Sequence, residues 1–436
     1  MKCLILAAGR GSRLQSLADS KPLLPLLGVP LIERTIRTAT QAGADEFVVV
    51  TGHAGERVRE FLRELSARLG VPIETLHNRE WAECDNGSSV LAAEEVLHAP
   101  FLLLMADHLF EPDLIRDLLR APLPEQGVNL AVDGALENPL VDPRDVTRVQ
   151  HVAGKIQAIG KGLERFNGYD TGIFHCTPAL FGAIREARRE GESSLSAALG
   201  RLAAQGRAGA VDVSGRFWCD VDDTAALQRA EQALLQRLRG KGGDGPVSRW
   251  LNRPLSIRLT RRLVNTGVTP NRISLFSFLL SVIAAVLFMS GHYATLVLGG
   301  VLAQIASIID GCDGELARLK YLQSDYGGWF DAVLDRYADA LLLFGLTWYA
   351  FSRTPDMGVL FTGFMAIIGS FMLSYTADKY DGLMRQRGGG VLRMGRDVRV
   401  FLIFLGALFD QVFATLLIIA LLMNLETVRR VVVCRP

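Results

Sequence analysis

The chain has 436 residues and a formal net charge of +1. Its length allows two or three domains, and its charge gives no global attraction for nucleic acid. Cys3, Cys84, Cys176, Cys219, Cys312 and Cys434 are scattered with no CxxC pair, which argues against a disulfide scaffold or a cysteine zinc cluster. The opening MKCLILAAGRGSR ends its short apolar run in Gly and Arg, unlike a signal peptide, so the first domain is expected in the cytoplasm. No fixed-period repeat is present.

Short apolar runs alternate with amphipathic ones through the first half. Strands are expected at 3–8 (CLILAA), 46–52, 72–78 and 101–107 (FLLLMAD), and helices at 31–43, 56–70 and 88–97. This alternation predicts an α/β fold, Rossmann-like, with a mostly parallel sheet, over residues 1–238. GKGGDGP (240–246) lies in an expected linker, 239–247. Residues 248–272 interleave Arg249, Arg253, Arg258, Arg261 and Arg262 with Trp250, Leu251, Leu255, Ile257 and Leu263, as an amphipathic helix in a membrane interface would. Apolar segments follow near 273–290, 293–309, 327–350, 357–377, 397–409 and 411–427. They predict an all-α membrane domain (273–436) of about six transmembrane helices in a lipid bilayer. Arg318 and Lys320, then Lys379, Arg385, Arg387, Arg393 and Arg396, then Arg429 and Arg430, fall on one side of these segments. The positive-inside rule makes that side cytoplasmic in a multi-pass cell-membrane protein, with the N-terminal domain on it.

LAAGRGSRL (6–14) follows the first strand directly. Ala8, Gly9 and Gly11 can bring backbone N–H groups against a phosphate chain, and Arg13 and Lys21 add cations. The stretch is neither a GxGxxG fingerprint nor a P-loop. The glycine loop, Arg13 and Lys21-Pro22-Leu23 together resemble the sugar-nucleotidyltransferase family over about 1–235. That resemblance implies nucleotide binding by Asn86 and Ser88 in Asp85-Asn86-Gly87-Ser88-Ser89. It implies magnesium on Asp107, acceptor-phosphate binding by Lys161, and an acceptor-pocket turn at Asp170-Thr171-Gly172. It also implies a second metal ligand in Trp218-Cys219-Asp220-Val221-Asp222, either Asp220 or Asp222. Joining a triphosphate to a phosphate monoester brings two anions together, so a magnesium ion with Arg13, Lys21 and Lys161 answers the electrostatic need.

In the apolar half, Asp310 and Asp313 are three residues apart, and Asp331 and Asp335 four, so each pair lies on one helical face. Four carboxylates in a small volume repel unless divalent metals relieve them, and two metals can clamp a phosphoryl group. Gly311, Gly314, Gly327 and Gly328 would let helices and a diphosphate approach closely. The string D-G-C-D-G-E-L-A-R, eight residues, then G-G-W-F-D-A-V-L-D matches the CDP-alcohol phosphotransferase pattern D-x-x-D-G-x-x-A-R…G-x-x-x-D-x-x-x-D at every defined position. The resemblance covers about 248–430. It implies two divalent metals on Asp310, Asp313, Asp331 and Asp335, with Asp335 also the general base, and Asp310, Gly314 and Arg318 contacting the CDP moiety. Arg396 and Arg399 either bind the acceptor's phosphate or anchor their helix. Asp325 reads as loop and Asp339 as an outlying polar contact.

A domain that attaches CMP to an alcohol phosphate makes what a CDP-alcohol phosphotransferase consumes, so CTP is the expected nucleotide. The fusion resembles the bifunctional inositol-1-phosphate cytidylyltransferase/di-myo-inositol-phosphate-phosphate synthase family. The resemblance implies CTP and inositol 1-phosphate as substrates, a compatible-solute product, Mg2+ (or Mn2+) as cofactor, and homodimers among its assemblies. The rival readings are a fused enzyme making a phospholipid head group or polyol-phosphate polymer, and a nucleotide-sensing membrane receptor or carrier. Intact carboxylates in both halves argue against the second.

Overall fold

The computed structural model describes residues 1–240, 245–386 and 395–435. Residues 241–244 of the expected linker, and Arg387 and Arg393 of the basic loop, lie outside the described residues. Two compact units are present, Met1–Ala233 and Leu234–Pro436.

The first unit is built on a nine-stranded sheet. Its order is Ile73–His77, Glu46–Thr51, Lys2–Ala7, Phe101–Met105, Gly168–Cys176, Val128–Asp133, Ala208–Asp212, Lys155–Gly160, Arg148–Val152. Alternate residues of one strand enter different cores. Leu4, Leu6, Val48, Val50 and Leu103 pack on one face, and Cys3, Ile5, Phe47, Val49 and Leu104 on the other. This is the period-two signature of a sheet covered on both sides. The first four strands in that order pair in parallel, joined by crossover helices such as Leu31–Gln41 and Gly55–Leu69. The expectation of a mostly parallel sheet needs correcting beyond them. Gly168–Cys176 runs antiparallel to Phe101–Met105 and to Val128–Asp133, and the hairpin 148–160 adds another antiparallel pair. Within the hairpin the chain reverses at Ala153-Gly154, both at positive φ, with no helix between the two strands, and on this side of the sheet only Val128–Asp133 and Ala208–Asp212 pair in parallel. The expected helix 88–97 is regular only over Asn86–Leu91.

The second unit is helical. Arg253–Leu263 precedes Pro270–Met289, Tyr293–Lys320, Asp325–Arg353, Met357–Tyr375, Arg396–Leu408 and Val412–Val433. Six helices therefore stand where six apolar segments were read. Among the described residues, four are long and apolar enough to cross a membrane: Pro270–Met289, Tyr293–Lys320, Met357–Tyr375 and Val412–Val433. Asp325–Arg353 is long but carries Asp325, Asp331, Asp335, Arg336 and Asp339 in its first half. Arg396–Leu408 has 13 residues, about 20 Å at the α-helical rise. Close packing is carried by small residues. A Cβ added at Gly345 would come within 2.6 Å of the Ala285 carbonyl, and one at Gly300 within 2.7 Å of Ala407 Cβ. At the motif's own Gly328, by contrast, a Cβ would meet nothing within 4 Å.

The Arg253–Leu263 helix turns Arg253, Ser256, Ile257 and Thr260 inward, while Trp250, just before it, is 82% exposed. Its polar stripe closes on Glu315, which is completely buried. Arg253 Nη1 donates to Glu315 Oε1 at 2.8 Å, Ser256 Oγ to the same oxygen at 2.5 Å, and Thr260 Oγ1 to Oε2 at 2.7 Å. Glu315→Ala strips Arg253 of its buried partner, so a loss of about 3–5 kcal/mol is expected. It would be read as a lower unfolding midpoint of the detergent-solubilised protein; an unshifted midpoint would contradict this role for the ion pair.

Candidate active sites

In the first unit the glycine loop ends the Lys2–Ala7 strand, at the carboxyl edge of the parallel strands where α/β folds bind ligands. Gly11 has φ 61°, and a Cβ there would lie 2.5 Å from Lys21 Cβ. Glycine thus lets the Lys21 segment close over the loop. Lys21 is 8% exposed, and its Nζ donates to Asp107 Oδ2 at 2.5 Å and to Asp222 Oδ1. Arg13 donates to Asp222 Oδ2 at 2.9 Å and to Asp145 Oδ2 at 2.5 Å, and Lys161 to Asp145 Oδ1 at 2.6 Å. A single network therefore links Asp107, Lys21, Asp222, Arg13, Asp145 and Lys161.

Asp220 parts company with Asp222. It joins Asp107 and His108 in a group whose ligand atoms all lie within 4.8 Å of one another, and its buried Oδ1 has no hydrogen-bond partner. His108 Nδ1 lies 2.9 Å from Asp107 Oδ1. Burial alone would lower the His108 imidazole, but Asp220 and Asp107 outweigh it and raise it to about 9. Burial, with the Asp107 and Asp222 charges, pushes the Asp220 carboxyl up to about 7. For Lys21, burial opposes the charge, yet Asp107, Asp220 and Asp222 hold the ammonium above its usual range. An orphaned carboxylate oxygen beside a second carboxylate and an imidazole fits a divalent cation.

A cavity of about 370 Å³ adjoins this network and reaches Asn86, Ser89, Asp170 and Gly172. Burial raises Asp170 to about 6, and its Oδ1 accepts from Gly172 N at 2.7 Å. Ser88 is turned inward, accepting from Asn78 Nδ2 at 3.0 Å; its neighbour Ser89 lines the cavity. Asn86 Oδ1 accepts from Leu195 N at 2.9 Å. Ala8 and Gly9 line the same cavity, and Gly11 a smaller one beside Lys21. Sequence reading missed His108 and Asp145. His108 had a signal, since it directly follows Asp107 at the end of a buried strand. Asp145 comes from an irregular stretch with no pattern.

In the second unit, Asp310, Asp331 and Asp335 bring carboxylate oxygens within 4.8 Å of one another, and the buried Asp331 Oδ1 lacks a hydrogen-bond partner. This cradle also fits a divalent cation. Serines of the Pro270–Met289 helix orient the motif's first two aspartates: Ser277 Oγ donates to Asp310 Oδ1 at 2.8 Å, and Ser274 Oγ to Oδ2 of Asp313, which lies outside the group of three, at 2.5 Å. Arg396 Nη1 reaches Asp310 Oδ2 at 2.8 Å and Asp335 Oδ1 at 2.5 Å. Arg399 is buried and donates to Asp339 Oδ2 at 2.6 Å, away from the cradle. The Arg318 guanidinium folds back over Gly314, 3.1 Å from where a Cβ would stand. Asp339, read as outlying, is 4% exposed and holds both Arg396 and Arg399.

Residues 3–166 match the MobA-like NTP transferase domain family, and residues 267–433 the CDP-alcohol phosphatidyltransferase family. A bifunctional IPC transferase and DIPP synthase of Rubrobacter xylanophilus is 39% identical over 98% of this chain and 94% of its own. Its counterpart in Aquifex aeolicus is 32% identical over 98% of this chain and 96% of its own. Among solved structures, an inositol-1-phosphate CTP transferase from T. maritima aligns with TM-score 0.48 and 24% identity, over 53% of this chain and 93% of that one.

Proposed function

The chain belongs to the bifunctional IPC transferase and DIPP synthase family, and from that premise we propose that it makes a CDP-alcohol in one unit and consumes it in the other. In the first reaction an oxygen of inositol 1-phosphate attacks the α-phosphorus of CTP. The α–β phosphoanhydride bond breaks, giving CDP-inositol and pyrophosphate. In the second, a hydroxyl of another inositol 1-phosphate attacks the phosphorus that bears inositol. CMP leaves, and the product is di-myo-inositol phosphate phosphate, a water-soluble compatible solute. The observation that carries this reading is two separate carboxylate groups, each in contact with a cation of the chain's own, in a chain whose relatives match both units along nearly their whole length.

In the first unit the Ala8–Gly11 backbone cradles the triphosphate. Arg13 and Lys21 stabilise charge on the α-phosphate and the leaving pyrophosphate. Lys161 holds the acceptor's phosphate, and Asp170 and Gly172 shape its pocket. Asp107 and Asp220, with His108, hold the metal, while Asp222 keeps Lys21 and Arg13 in place. In the second unit Asp310, Asp313, Asp331 and Asp335 hold two metals. Asp335 takes the proton of the attacking hydroxyl, Gly314 and Arg318 face the CDP moiety, and Arg396 serves the acceptor's phosphate. Bound Mg2+ or Mn2+ would neutralise charge on the phosphoryl oxygens in both reactions. With the six helices read as spans, Arg318, Lys320, Lys379 and Arg429 fall on the cytoplasmic side, as does the first unit. Trp250 and the Arg253–Leu263 helix lie in the interface.

Purified protein supplied with Mg2+, CTP and one alcohol phosphate at a time tests the reading. Pyrophosphate is expected only with inositol 1-phosphate, followed by a water-soluble phosphodiester. A product that partitions into lipid would instead support head-group synthesis, and no pyrophosphate with any alcohol phosphate would support a nucleotide sensor.

A further inference from the structure

Asp339 lies one helical turn beyond Asp335, outside the aspartate pattern. Its Oδ1 accepts from Arg396 Nε at 3.1 Å, and its Oδ2 from Arg399 Nη2 at 2.6 Å and Ser370 Oγ at 3.4 Å. Burying a carboxylate with two guanidinium groups is expensive, and apolar side chains of similar volume would pack as well. The arrangement grips Arg396 by its inner edge. The outer edge, Nη1, touches Asp310 and Asp335, two of the three carboxylates of the cradle. A guanidinium edge and a divalent cation repel each other across shared carboxylates, so the two compete for that position.

We infer that Asp339 is a positioning residue for a cation exchange. It anchors Arg396 at Nε. The Nη1 edge rests on Asp310 and Asp335, gives them up to a divalent cation, and turns about the anchor to take the phosphate of the second alcohol phosphate. No covalent bond changes; only the partners of one guanidinium do. The exchange couples the two ligands, because a cation in the cradle releases the group that binds the acceptor, and reciprocity makes the acceptor strengthen cation binding. The acceptor's identity rests on the proposed second reaction.

The test uses the full chain in detergent with Asp107→Asn and Asp220→Asn, so that Mn2+ reports the membrane cradle alone. Free Mn2+ is followed by electron paramagnetic resonance. With the competing cation removed, Arg396→Gln is expected to bind Mn2+ at least about fivefold tighter; equal or weaker binding overturns the exchange. Inositol 1-phosphate should tighten Mn2+ binding at least about fivefold when Arg396 is present and have no effect in Arg396→Gln. Equal tightening in both overturns the handover. In the otherwise wild-type chain given CDP-inositol, Asp339→Asn should raise KM for inositol 1-phosphate about tenfold while kcat stays within about twofold, with partial rescue by Asp339→Glu. A fall in kcat at constant KM overturns the positioning role. If Asp339→Asn does not fold, the Arg396→Gln titrations decide the matter. Should the wild-type chain leave CDP-inositol untouched, the proposed second reaction fails, and Mn2+ binding still decides the exchange.

Discussion

Asp335→Asn should cut CMP release from CDP-inositol by about 10³-fold, while pyrophosphate release from CTP continues at the wild-type rate. The amide matches the carboxylate in size, so packing is kept. It cannot accept the proton of the attacking hydroxyl, and it leaves Arg396 Nη1, now 2.5 Å from Asp335 Oδ1, without that negative partner. It also removes one of the three carboxylates of the cradle. The first unit has its own carboxylates and its own cation, so nothing in its chemistry depends on Asp335. Supplying CDP-inositol directly and following CMP and pyrophosphate in parallel separates the reactions. Loss of both would contradict separate sites, and undiminished CMP release would remove Asp335 from the base role.

Lys21→Met should do the reverse. Lys21 is buried between Asp107 and Asp222. Methionine fills a similar volume but leaves those carboxylates facing each other without a cation. Pyrophosphate release is expected to fall by about 10³-fold, the scale for losing a preorganised charge partner of the transition state. CMP release from supplied CDP-inositol should persist. Breaking a buried pair costs about 3–5 kcal/mol, so calorimetry should show the unfolding midpoint of the first unit lowered by roughly 10 °C. A midpoint unmoved with activity lost would make Lys21 purely catalytic. Activity retained would remove it from the mechanism.

The sequence exposed these sites unevenly, for physical reasons. Asp107 was legible because a carboxylate that closes a strand buried on both faces must meet a ligand, a cap or a cation. The pairs Asp310/Asp313 and Asp331/Asp335 were legible because helical spacing alone puts each pair on one face. Asp220 and Asp222 could not be told apart, since only Val221 separates them and the tertiary position of Lys21 decides which of them it pairs with. Asp145 was hidden because its partners Arg13 and Lys161 reach it from a glycine loop and a strand end. Asp339 was set aside because its partners Arg396 and Arg399 lie about 60 residues further on, in another helix. The parallel half of the sheet followed from strand–helix alternation. The hairpin 148–160 follows a tight reversal at Ala153-Gly154, and the antiparallel placement of Gly168–Cys176 is a tertiary choice; apolar periodicity reports neither.

Each carboxylate group already carries an internal counter-ion: Lys21 in the first unit and Arg396 in the second. In proteins whose fold is assembled around a metal, the nascent chain must wait for the ion and a chelator unfolds it. Here two carboxylates at each site are met by one of the chain's own cations as soon as the helices and loops meet. A chelator is therefore expected to leave the fold standing, unlike a domain assembled around its ion, and calorimetry with and without EDTA would show it.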